Sequence, residues 1–151
     1  MARDVALTAL ERGIPEKWPE IRWRFACRSW FYVPLMHSED IDMHDLAVEK
    51  YQRLADDIES LLPSETNSDG NTSFGDESEV AHEYRVAAQR VMQASPEAAR
   101  AYAHLNLGFE KRHWAIVKRF GRYPHRNRVL GRETTEDERE YLENGGDTFG
   151  G

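Results

Sequence analysis

Apolar positions recur along this chain at steps of three and four, and no run shows the alternation of a half-buried strand, so the pattern predicts helices throughout. Val5, Ala6, Ala9 and Leu10 define a short first helix over 2–12, which Gly13 and Pro15 end. From Trp18 to Val33 ten of sixteen residues are apolar and spread round the whole circumference, which predicts a single helix buried on all sides. Pro34 kinks or ends it. With Ser38 or Asp40 as cap, the next helix carries the cleanest stripe in the chain: Ala47, Tyr51, Leu54, Ile58 and Leu61. Residues 63–78 then turn to Ser, Thr, Asn, Gly and acids around Phe74, too little apolar surface to offset the entropy of ordering them, and are expected to form a disordered insertion loop.

Val80, Tyr84, Ala87 and Val91 restore the helical stripe. Ser95 followed by Pro96 opens a long helix whose inner line reads Ala98, Tyr102, Leu105, Phe109, His113, Ile116, Phe120, with Gly121 closing it. A non-helical connector follows to Arg132, and Thr135 with Glu138 fits a capping box for a last helix ending near Gly145, beyond which a glycine-rich tail, 145–151, is expected to fray. The expected fold is a single all-α domain over 1–151, five to six helices packed as antiparallel pairs. A chain of this length buries roughly two-thirds of its unfolded surface, enough for one core. There is no internal sequence repeat.

Two segments resemble a known family. They are Phe31-Tyr32-Val33-Pro34-Leu35-Met36-His37-Ser38-Glu39-Asp40, and the run containing Arg119-Phe120-Gly121-Arg122-Tyr123-Pro124-His125-Arg126-Asn127 and Leu130-Gly131-Arg132-Glu133-Thr134-Thr135. Both are similar to the domain-of-unknown-function family 924, and the resemblance spans nearly the whole chain apart from 63–78. It implies a tetratricopeptide-like helical fold and no established activity. Members of that family usually carry further N-terminal helices with an Asp-Gln-Phe-Pro-Arg-Asn type motif, so the resemblance implies a form lacking them.

Charge adds one feature the hydrophobic pattern does not carry. Lys111 to Arg132 holds eight bases and no acid, so with a net charge of −7 the remainder stands at −15. Arginines at a helix end and on a constrained connector suit two-pronged recognition of phosphate or carboxylate. They equally suit a helix dipole, its unpaired carbonyls or acids of neighbouring helices. The acidic balance and the lack of a recognised motif argue against nucleic acid. No apolar run is long enough to span a membrane and Met1-Ala2-Arg3-Asp4 does not open a secretory signal, so a cytoplasmic protein is expected. Cys27 is the one cysteine, which excludes an intrachain disulfide, and among Phe25, Ala26 and Trp30 it reads as packing.

Candidate chemistry centres on His113, a histidine on an apolar stripe that must find a hydrogen-bond partner if buried. Glu39, in the other family-like motif, is the expected partner, giving a hypothetical catalytic pair. His37, Arg122, His125, Arg126, Asn127 and Arg132 are the candidate ligand-binding residues. His37, Glu39, Asp40, Asp42 and His44 are rich in donors but fit neither a zinc nor a calcium pattern, and no cofactor signature is present. The sequence therefore points to a helical binding module for a small anionic ligand or an acidic peptide. The alternatives are a hydrolase or transferase acting on a phosphorylated or carboxylated metabolite, and a structural or protein-interaction role.

Overall fold

Every regular element in the computed structural model, which describes residues 2–63 and 77–149, is helical. The elements are α1 (Ala2–Glu11), α2 (Ile14–Lys17), α3 (Pro19–Arg22), α4 (Phe25–Trp30), α5 (Val33–Met36), α6 (Ile41–Ser60), α7 (Glu79–Ala94), α8 (Pro96–Phe120), a single 3₁₀ turn at Pro124–Arg126, and α9 (Glu136–Glu143). Most of the expected insertion loop, 64–76, lies outside the described residues.

α6 and α8 form the spine. The predicted stripe of α6 is buried, with His44 beside it, and Asp40 is the cap, its side chain accepting from the Asp42 amide at 3.1 Å. Glu59 pairs with Arg100 at one end of the interface, while His44 meets Glu110 and Asp45 accepts from Trp114 at the other. The two helices are therefore antiparallel. Around them Trp23, Phe25, Tyr32, Tyr51, Leu54, Ile58, Leu61, Ala88, Ala103 and Leu107 join one core. A second, smaller cluster of Ile116, Val117 and Tyr123 sits at the far end.

Two local readings need correction. Trp18–Val33 is not one helix: it divides into α3, α4 and the start of α5, which is why the helices outnumber the five or six expected. Pro19 and Pro34 occupy first-turn positions that start new helices, with Trp18 extended before Pro19. The break at Arg24 lets Trp23 and Phe25 both face inward, at 4% and 3% exposure, which residues two apart on one helix cannot do. Trp18, Trp30 and Cys27 are exposed as a result, so Cys27 is not a packing residue. Arg28 is instead the buried member of this segment, donating to the Tyr32 hydroxyl at 2.8 Å and pairing with Asp57.

The inner line of α8 is the second correction. Its buried residues are Ala99, Ala103, Leu107, Glu110, His113, Ile116 and Val117, so the N-terminal half is turned by one position, about 100°, from the apolar stripe. Leu105 and Phe109 are exposed. The alanines let α6 approach closely, and the polar Glu110 falls on the contact line because His44 is there to meet it.

Candidate functional site

The site is assembled where the α5–α6 junction, the C-terminal half of α8 and the connector after Gly121 meet. Gly121 ends α8 with φ 69°, a left-handed turn that glycine adopts without a Cβ penalty, and swings Tyr123 back under the helix. Tyr123 is fully buried, and its hydroxyl donates to the Met36 carbonyl at 2.5 Å. Four of the six histidines surround it. His44, His113 and His125 lie 6.1, 5.8 and 5.5 Å from its ring, and His37 meets His113 edge-on at 5.2 Å. Arg126 lies over the same tyrosine at 4.3 Å.

His44 and Glu110 share a proton in full burial. His44 Nε2 lies 2.8 Å from the Ser38 carbonyl, which only accepts, so Nε2 carries hydrogen. One proton then lies between Nδ1 and Glu110 Oε1, 2.7 Å apart, and the pair is neutral overall on whichever atom it rests. Burial pushes the Glu110 carboxyl above its ordinary range.

His113 is arranged differently. Its Nδ1 faces the Phe109 carbonyl at 2.8 Å, so the proton of the neutral ring sits on Nδ1 and Nε2 presents a bare lone pair. Burial holds its pKa down to about 4, which keeps the ring neutral at physiological pH. His37 and His125 are also shifted down, first by burial and then by the charge of Arg126.

The expected pairing of Glu39 with His113 is not found. Glu39 is held by Arg132, whose Nη1 and Nη2 donate to its two oxygens at 2.5 and 2.9 Å, and by the Tyr123 amide at 3.0 Å. These contacts place its pKa below the usual carboxylate value, Arg132 being the main cause. Glu39 therefore fastens the connector to the α5–α6 junction, while His113 finds its partner within its own helix. Arg122 donates twice to Glu138, at 2.6 and 2.8 Å, and once to the Glu133 carbonyl. Asn127 donates to Glu138 at 3.1 Å. Thr135 and Glu138 complete the predicted capping box, and Arg122 above all holds the Glu138 carboxyl down at about 2. Arg126 donates to the His37 carbonyl at 2.9 Å and bonds to no carboxylate among the described residues.

Of the predicted site residues, His37, His113, His125 and Arg126 thus converge on Tyr123. Arg132 and Glu39 border that group, while Arg122 and Asn127 belong to a separate knot on Glu138. Sequence reasoning missed Glu110 and Tyr123 and took His44 only as a metal donor, because a buried polar pair on facing helices leaves no local motif. One signal was available for Glu110: it stands three residues before His113, on the same helix face.

Two concavities lie nearby or beyond. A mixed cleft of about 700 Å³ is lined by Arg3, Glu39, Asp40, Lys118 and Gly121, without His113 or Arg126. An apolar groove of about 660 Å³ lies between α3–α4 and α7–α8, walled by Trp23, Phe25, Tyr84 and Tyr102. Among the described residues no group of three or more His, Cys, Asp or Glu is placed to hold a metal ion, and no helix is long and apolar enough to cross a membrane.

Both family-like segments thus pack against each other through Glu39 and Arg132. The family of bacterial proteins of unknown function DUF924 matches residues 1–146. The chain belongs to this family. No curated protein and no solved structure matches it. Within this DUF924 chain the two quoted segments are therefore one structural unit, the second folded back onto the first through Tyr123, Arg126 and Arg132.

Proposed function

We propose that this chain is a helical binding module whose ligand is a small anion bearing a hydroxyl or amine donor, held at the histidine cluster around Tyr123. One observation carries the reading. Among the described residues, the buried side-chain polar atoms left without a partner are Glu110 Oε2, His113 Nε2, His125 Nδ1, Asn127 Oδ1 and Arg132 Nε: the two histidine atoms are in the cluster around Tyr123, Glu110 is the partner of His44 beside it, and Asn127 and Arg132 are on the adjoining connector. Buried polar atoms are normally paired, so such a concentration marks a place where hydrogen-bonding capacity is kept for something else.

The chemistry of the ligand follows from the atoms that remain. His113 Nε2 accepts, which calls for a donor. Arg126 supplies a cation at the rim, beside His37, whose ring is only partly covered, and half-buried His125. Arg122 and Arg132, committed to Glu138 and Glu39, hold the frame of the site. A small hydroxylated phosphate or carboxylate satisfies both requirements, with its charge on Arg126 and its hydroxyl donating to His113. Binding of this kind does not require turnover.

Thermal unfolding of the purified chain against glycerol phosphate, sugar phosphates and hydroxycarboxylic acids tests the reading. A ligand at about a hundredfold over its Kd adds roughly 2.7 kcal/mol, a shift of several degrees. The shift is expected to vanish in Arg126→Gln and to persist in Arg128→Gln, whose side chain is exposed on the connector. A midpoint unmoved by every hydroxylated anion would remove the proposal.

A further inference from the structure

The segment after α9 turns back onto the site. Gly145, at φ 79°, donates its amide to the Leu142 carbonyl at 3.3 Å, and Gly146 donates to the Tyr141 carbonyl at 2.9 Å, the paired bonds of a glycine helix stop. A Cβ on Gly146 would come within 2.4 Å of the Tyr141 ring, so this turn depends on glycine. It returns the chain toward α8. There the Phe149 ring lies flat on the His113 imidazole, with centroids 3.5 Å apart and planes 13° from parallel. The Asp147 carboxylate stands 3.4 Å from Arg112 Nη1, and the same guanidinium lies over the rings of Phe109 and Phe149 at 4.6 and 5.6 Å.

Adjacent residues of α8 thus receive two different groups: an imidazole face takes a planar ring and a guanidinium takes an acid. Both partners come from within three residues of one another in the tail. Phe149 reaches this position with φ 52°, a left-handed backbone that bulky side chains rarely adopt, so the docked posture works against the residue's own preference. We propose that the His113 face and the Arg112 guanidinium form a subsite for a planar aromatic group carrying an acid, and that Phe149 and Asp147 fill it in cis until such a ligand displaces them. The proposal rests on reading the histidine cluster as a ligand site, and names the class of group that gains entry to it.

Calorimetric titration of the full chain with 2-naphthoate is the test, alongside 2-naphthalenemethanol, which lacks the acid, and cyclohexanecarboxylate, which lacks the planar ring. If the tail is docked about ten times as often as not, Phe149→Ala binds naphthoate about tenfold more tightly than the parent. Adding Arg112→Gln to that variant cancels the gain, and the two control compounds bind more weakly than naphthoate throughout. Asp147→Asn, which keeps the ring, gives a smaller gain, a check that does not depend on removing an aromatic side chain. Equal naphthoate affinity in the parent and in Phe149→Ala, or no effect of Arg112→Gln, overturns the proposal. Arg126→Gln separates it from the binding of hydroxylated anions: that variant abolishes the response to those anions if the cluster binds them, and leaves the naphthoate gain in Phe149→Ala intact.

Discussion

Glu110 and His44 bind one another across the α6–α8 interface with both side chains fully buried, and each is the other's means of being there. Removing one partner alone strands the other in a dry interior. Glu110→Ala is expected to cost about 3–5 kcal/mol, the range for breaking a buried pair, whereas an apolar double replacement such as His44→Phe with Glu110→Leu recovers much of it. Urea denaturation of the two single variants and the double measures the coupling directly. Arg132→Lys is a milder case. It keeps the charge but loses the two-pronged contact to Glu39, and is expected to cost about 1–3 kcal/mol, loosening the connector in which Tyr123 is set. At this scale the sequence is only partly legible. The capping box of Thr135 and Glu138 could be read because its members are three residues apart. Glu39 with Arg132, 93 residues apart, could not, and the neighbouring His113 offered a plausible but mistaken partner.

Among the helices, α6 and α7 show how unevenly the core is shared. α6 buries Ala47, Tyr51, Leu54 and Ile58 along its length, while α7 buries Ala88 alone. Leu54→Ala is accordingly expected to cost about 2–5 kcal/mol, and Val91→Ala on the exposed side of α7 less than about 0.5 kcal/mol. Thermal or chemical denaturation of the two variants compares them. Helix existence was readable from spacing wherever one face is apolar, as in α6, or where a cap and proline coincide, as at Ser95 and Pro96. Helix breaks were less so. Trp23-Arg24-Phe25 carries no proline or glycine, and its break reflects the burial of two aromatics on one side, which only the tertiary packing decides. The rotation of α8 has the same origin: apolar residues mark a helix face, but small residues and a complementary acid determine which face meets α6.

For the whole molecule, acid is the condition that tests most of these contacts together. His113 titrates at about 4 when folded, against 6.5 for the unfolded chain, so the unfolded state binds more protons between those values. Stability contributed by neutral burial is complete above about 6.5 and is lost as the pH falls toward 4. His37 and His125 are shifted in the same direction and add to the slope. Glu39 and Glu138 act below them: their folded values lie under 4.5, so their contribution is present above that pH and disappears as the pH drops toward 2. A stability profile from pH 7 to 3 is expected to fall, less steeply than these groups alone would give because the raised Glu110 carboxyl works in the opposite direction, and His113→Gln to flatten its upper part. The broken helix near the N-terminus bears on how any such transition is seen. Trp18 and Trp30 are 53% and 71% exposed and Trp114 is half-buried, which leaves Trp23 as the one indole of the four shielded from water. The folded protein should therefore already emit with the red-shifted maximum of solvated indole, and most of the further shift on unfolding should disappear in Trp23→Phe, so that an optical melt of this chain reports the packing of a single side chain beside the apolar groove.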